Sequence, residues 1–165
     1  MLGTSVPAVN SALQRARAGL NRALPPASVS ARSLPAQEQQ VLRRFMLAWQ
    51  QRDLQGLAAL LAEDAVLDMP PQSLRYLGRH AVARFFGAVP AQGQLDRIRL
   101  VATRANGHPA LAAYLPAGDG TYHAYGVMVL VVIEDGIKAI TGFQDASLFA
   151  AFGLPHTPVE LPRLS

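Results

Sequence analysis

Cysteine is absent from the 165 residues. Its absence excludes a disulfide framework, a thiolate metal site and a cysteine nucleophile, and suits a cytoplasmic protein. Charged residues are sparse, at 16% against 50% hydrophobic. That is enough apolar material for a packed core and unlike a disordered chain. No apolar run approaches transmembrane length. Asn10, Gln14, Arg15 and Arg17 break the unbroken apolar stretch that a signal peptide needs, so no membrane association is expected. There is no glycine-rich phosphate loop, no nucleophile elbow and no pair of histidines at metal-ligand spacing. Neither a metal nor a cofactor is expected.

Acidic residues are missing from the first 36 positions, which hold Arg15, Arg17, Arg22 and Arg32. The chain has 15 basic and 11 acidic residues, so the 11 basic residues outside this arm balance the acidic ones. The net charge of +4 therefore belongs to the arm, and the body is neutral. A cationic arm suits a polyanion, whereas a neutral body does not suggest a nucleic-acid channel.

The pattern divides the chain into residues 1–24, a Pro/Ser linker over 25–36, a domain over 37–155 and a tail over 156–165. In the first segment Gly3 makes a turn, Thr4 or Ser5 caps a helix, and Pro7 sits in its first turn. Val9, Leu13, Ala16 and Leu20 fall on one face. Asn10, Ser11, Gln14, Arg15 and Arg17 lie away from it, with residue types that read base edges and grip phosphates. An ordinary amphipathic helix with a solvated face fits the same spacing.

In the domain, Glu38–Gln51 reads as a helix burying Val41, Phe45, Ala48 and Trp49. Asp53 caps a second helix, Leu54–Leu61. Ala65–Met69 is a short strand closed by Pro70-Pro71, and Gly78-Arg79-His80 opens a third helix to Val89. The period then changes to strands at Ile98–Ala105, Ala110–Leu115, Tyr122–Ile133 and Ile137–Phe143. Asn106-Gly107 is a hairpin signal, and the long apolar Tyr122–Ile133 is expected at the centre of its sheet. A last helix, Ala146–Phe152, is capped by Asp145 and ended by Gly153 and Pro155.

GTSVPAVNSALQRAR, with its Leu13-Gln14-Arg15-Ala16-Arg17 run, resembles the recognition helix in the promoter-reading domain of extracytoplasmic-function sigma factors. AWQQRDLQGLAALLAEDAVLDMPP and YLGRHAVARFF resemble the SnoaL-like domain that some of these sigma factors carry as a C-terminal extension. The resemblance implies an α+β cone, three helices packed on a strongly bent, mainly antiparallel sheet, preceded by the remnant of a helix-turn-helix. SnoaL-like cyclases, ketosteroid isomerases and nuclear transport factor two share that cone, so the fold alone does not decide the function. Asp135-Gly136-Ile137-Lys138 is similar to a DGGK motif of one sigma-factor group. Gln144-Asp145-Ala146-Ser147-Leu148 matches the NPDKL-like motif of that group poorly, and its Trp-Leu-Pro-Glu-Pro linker motif is absent, which points to a sibling group. Met1 stands directly before a motif that normally comes after another helix. The expectation is a fragment of a longer protein or the product of a gene with a truncated start.

A ketosteroid-isomerase-like site needs a carboxylate base on the strand after the second helix, and tyrosine and carboxylic-acid donors for the enolate oxygen. The counterpart of the base is Met69. Asp68 alternates to the other face with Val66, and only a local bulge would turn it inward. The place of the second acid falls near Met128. His123 and Tyr125 share a strand face at i, i+2, with Tyr114 on a neighbouring strand, and form either an acid–base pair or a pocket wall. Arg104 and Asn106 suit a carboxylate or simply a polar strand end. The expected pocket is apolar, built on Trp49, Met69 and Met128 with polar contacts from Tyr76, Arg104, Tyr114, His123 and Tyr125.

The two resemblances together imply the regulatory portion of a sigma factor. Its partners are RNA polymerase and promoter DNA in the full-length context, and its domain binds a small apolar ligand or a protein without catalysis. The alternatives are a free-standing isomerase, cyclase or hydrolase working through Asp68 or His123, and a ligand-binding homodimer.

Overall fold

The computed structural model of the chain describes residues 35–134 and 136–155. The expected helix-turn-helix remnant with Asn10, Ser11, Gln14, Arg15 and Arg17, the expected linker up to residue 34, Asp135 and the tail from residue 156 lie outside the described residues.

Helix α1 (Ala36–Gln50) buries Val41, Leu42, Phe45, Ala48 and Trp49, a stripe at helical spacing that faces the core. Asp53 caps α2 (Leu54–Leu60) as expected, its Oδ1 accepting the Gly56 N–H at 2.8 Å. Strand β1 (Leu61–Asp68) begins with no connecting loop. It starts four residues before the expected Ala65, because Leu61 has a ladder partner in the distant Ile137. Glu63 and Asp64 interrupt the apolar alternation that sequence reading depends on, and only the tertiary partner makes this stretch a strand.

Strand β2 (Arg75–Leu77) pairs antiparallel with β1 and leads into α3 (Arg79–Ala88). Helix α3 buries Val82, Ala83, Phe85 and Phe86. Two short 3₁₀ turns, Pro90–Gly93 and Leu95–Arg97, connect it to β3 (Arg99–Ala105). Asn106 and Gly107, at φ 52° and 81°, turn β3 into β4 (His108–Pro116). Positive φ at both residues is the type I′ signature that the Asn-Gly pair announced. Strands β5 (Tyr122–Ile133) and β6 (Gly136–Phe143) complete the sheet. The last helix, α4 (Leu148–Ala151), is shorter than expected, and Asp145 Oδ1 accepts the Ser147 N–H at 2.9 Å ahead of it.

The six strands run in the order β2-β1-β6-β5-β4-β3. All neighbours are antiparallel except β1 and β6. The long β5 is interior, between β6 and β4. The main core lies between one sheet face and helices α1–α3, where Phe45, Trp49, Leu57, Phe86, Leu111 and Leu130 meet. A smaller core lies around Tyr114, Ala124, Val127 and Phe149. Tyr114 and Phe149 meet edge to face at 5.1 Å. Register shifts between Ala113 and Tyr114 and between Val131 and Val132 interrupt the ladders and bend the strands.

Candidate functional site

A small cavity opens between the helices and the sheet, and every layer contributes to it. Its walls include Trp49 from α1, Leu67 from β1 and Met69 just after it. Phe85 and Phe86 come from α3, Ala113 from β4, Tyr125, Gly126 and Met128 from β5, and Gly142 from β6; Gln144 lies just beyond β6. Trp49 and Phe86 meet edge to face at 5.3 Å, and Phe45 closes on Trp49 at 5.8 Å. The cavity volume is about 40 Å³, far below the roughly 300–1,000 Å³ of most ligand sites. Met69 and Met128 help to fill it, each only 8% exposed. Thioether side chains adapt their shape readily, so this wall is deformable.

Two strand glycines in the wall explain the narrowness. A Cβ at Gly142 would stand 2.6 Å from Met69 Sδ, and a Cβ at Gly126 would stand 2.6 Å from the carbonyl oxygen of Phe143. Isolated glycines within strands signal close approach or a bulge, and these two were the available sequence signal for a wall position.

The polar groups in the wall are few. Among the described residues that line the cavity there is no carboxylate, imidazole, ammonium or guanidinium. Gln144 Nε2–H donates to the Tyr125 hydroxyl at 2.9 Å. The Trp49 indole N–H is buried and has no hydrogen-bond partner among the described residues.

The structure brings four of the expected pocket residues together: Trp49, Met69, Tyr125 and Met128. Tyr76 is partly buried against the same core, its ring 4.8 Å from Phe85, but it is not part of the wall. Arg104, Tyr114 and His123 lie elsewhere. Arg104 donates to the Gly107 carbonyl at 2.6 Å within the β3–β4 turn, which is the polar-strand-end alternative. Tyr114 belongs to the second core and donates to the Pro155 carbonyl at 3.1 Å. His123 is exposed. A bulge separates it from Tyr125: Ala113 pairs with Gly126 while Tyr114 pairs with Ala124, leaving Tyr125 as the extra residue of β5. Such a residue is re-aimed by the kink, which simple alternation along the strand does not foresee. Phe85, Phe86 and Gln144 are wall residues that sequence reasoning missed.

Asp68 does not reach the cavity. Its neighbours Leu67 and Met69 are buried, while its own carboxylate takes Arg75 Nε at 2.7 Å and Nη2 at 3.0 Å. The hydrogen bond from Arg75 outweighs the opposing desolvation and, with the guanidinium charge adding to it, lowers the pKa below the ordinary 3.8. A group held ionised by a cation is a weak proton acceptor. Lys138 and Asp64 form a second exposed ion pair.

A family model described as the SnoaL-like domain matches residues 42–140. The chain belongs to the SnoaL-like family. The SnoaL-like chain is also 37% identical over 159 residues to the ECF RNA polymerase sigma factor SigG of Mycobacterium tuberculosis. That similarity covers 94% of this chain and 42% of the relative's length. Among solved structures, a provisionally named ketosteroid isomerase from Kribbella flavida is 28% identical, with a TM-score of 0.52, over 66% of this chain and 78% of that one. An NTF-2 like protein of unknown function from Burkholderia xenovorans shares the fold at 14% identity and a TM-score of 0.53. It covers 76% of this chain and 88% of that one. Among the described residues, no helix is long and apolar enough to cross a membrane.

Proposed function

We propose that this chain is the C-terminal regulatory portion of an RNA polymerase sigma factor, with its SnoaL-like domain acting as a non-catalytic binding module. The observation that carries the reading is the cavity wall, which is apolar and uncharged at the positions where proton-transfer chemistry needs acids and bases. The extended similarity to a sigma factor supports the transcriptional context. RNA polymerase and promoter DNA are the partners of the full-length protein. Asn10, Ser11 and Gln14 contact base edges, and Arg15 and Arg17 contact phosphates. A small apolar molecule is the ligand of the cavity. With few charges in the arm, the chain by itself binds DNA weakly and without sequence preference.

Transcription in vitro by polymerase with the sigma factor that carries this domain tests the reading. Gly142→Val, which pushes a side chain towards Met69, is compared with wild type. A change in promoter output alongside no turnover of a panel of cyclic ketones supports the regulatory module. Turnover abolished by Asp68→Asn or His123→Ala, with the fold intact, moves the isomerase, cyclase or hydrolase reading to first place. Val129, partly buried, and the exposed Val131 and Ile133 on β5 favour a homodimer as a second arrangement, which sedimentation equilibrium tests.

A further inference from the structure

Trp49 is the only tryptophan in the sequence. It is 2% exposed, lines the cavity, and its Nε1–H has no hydrogen-bond partner among the described residues. Native proteins rarely leave a buried donor unsatisfied, and such an orphan calls for an explanation. The described groups around the indole do not supply one, although Trp49 also borders a second hollow with Gln50, Asp96 and Arg99, none of which bonds to its N–H. Phe45 and Phe86 present rings, and the nearby methionines carry thioethers, which are weak acceptors. The other polar side chains of the wall, Tyr125 and Gln144, are hydrogen-bonded to one another.

We infer that the cavity takes an uncharged, mainly apolar small molecule bearing one hydrogen-bond acceptor, an oxygen or a ring nitrogen, which the Trp49 indole N–H engages. This rests on the reading of the cavity as a binding site, and it names the chemistry of the occupant. A charged ligand is disfavoured because the described wall offers no countercharge and burial of an unpaired ion is costly. An anion or a cation would also strip its hydration shell against rings and thioethers.

Size sets a second limit. An engineered apolar cavity of about 150 Å³ holds benzene, whereas this one measures about 40 Å³. A ring-sized guest therefore enters only if the wall yields. Met69 and Met128 are the side chains able to do so, since a methionine has three side-chain torsions and little rotamer preference. The occupant is accordingly about one ring in size, held by soft contacts and oriented by a single hydrogen bond.

Pyridine and benzene make the test, because they differ by a ring nitrogen in place of one C–H. The whole chain, labelled with nitrogen-15 and with carbon-13 at the methionine methyls, is titrated with each at a pH where pyridine is neutral. The single indole N–H resonance reports on Trp49. Pyridine should move it downfield and saturably, and benzene should shift the Met69 and Met128 methyls without that downfield move. Pyridine gives up its own hydrogen bond to water on binding, so the informative quantity is the ratio of the two affinities. In Trp49→Phe that ratio should fall about tenfold, the worth of one good hydrogen bond. Binding of both probes with no downfield indole shift, or an unchanged ratio in the variant, overturns the acceptor inference and leaves the cavity reading standing. If neither probe moves the indole or the methionine methyls, the cavity reading fails and the inference falls with it. Should Trp49→Phe not fold, the wild-type indole shift decides.

Discussion

Asp68 and Arg75 are register partners across the β1–β2 ladder, and their side chains meet through two hydrogen bonds, at 2.7 Å and 3.0 Å. The pair closes on the sheet face away from Met69 and Leu67, so the one carboxylate near the place of a base is engaged elsewhere. Cross-strand opposite charges of this kind support a two-stranded edge.

A pH dependence arises from that pair. Arg75 lowers the Asp68 pKa from the ordinary 3.8, chiefly by hydrogen bonding. The folded state thus holds its proton less tightly than the unfolded chain. The stabilisation is fully present above the unfolded value and is lost as pH falls through the folded one. Carboxyl-carbon NMR should show the Asp68 midpoint below 3.8 in wild type and a return towards it in Arg75→Gln. The melting temperatures of wild type and variant should converge in acid. The difference at neutral pH will be small, because an exposed pair is screened by solvent. Asp64, lowered by Lys138 in the same way, should titrate in the same direction.

The strand glycines should tolerate a methyl group unequally. At Gly126 the new Cβ would meet the Phe143 carbonyl at 2.6 Å, and at Gly142 it would meet Met69 Sδ at 2.6 Å. Backbone cannot retreat, whereas the end of a methionine can swing away. Gly126→Ala should cost about 1–3 kcal/mol, as overpacking does, and Gly142→Ala less. Urea unfolding of the two variants measures the order. The reverse order would mean that Met69 is held rigidly and the cavity wall does not yield.

Phe86 sits between Trp49 and Phe85, with ring separations of 5.3 Å and 5.6 Å. It is 1% exposed. Phe86→Ala should lower stability by about 3–5 kcal/mol through lost burial and the void left behind. Equilibrium unfolding reads this directly. A loss below about 1 kcal/mol would mean that the core collapses into the space, or that Phe86 is not the centre of the aromatic cluster.

Tyr114 ties α4 to the sheet. Its hydroxyl donates to the Pro155 carbonyl, and its ring packs on Phe149. Tyr114→Phe should cost about 1 kcal/mol and speed amide exchange in α4. Burial also raises the Tyr114 pKa above 10.0. The unfolded phenol ionises first as pH rises, so this contribution is present below pH 10.0 and is lost above it. Ultraviolet titration should show a late-ionising phenol in wild type that is missing from Tyr114→Phe.

The sequence by itself determined the elements whose signals are local. The stripe Val41, Phe45, Ala48 and Trp49 is a helix face because every position repeats at helical spacing. Asp53 is a cap because its side chain reaches a donor three residues away. Asn106-Gly107 is a hairpin because both residues accept positive φ. Met69 faces inward and Asp68 outward because strand alternation alone decides it.

Tertiary structure decided what depends on partners far along the chain. Leu61 starts a strand rather than ending a helix because Ile137 pairs with it. The bulge at Tyr125 arises from register between β4 and β5, so it separates Tyr125 from His123, which the sequence placed on one face. Tyr114 joins the second core because Phe149, beyond the end of the sheet, packs on it. The narrowness of the cavity is set by distances between Gly142 and Met69 and between Gly126 and Phe143. Local pattern carries side-chain type and direction, but the separation of surfaces that meet from opposite sides exists only once all of them are packed.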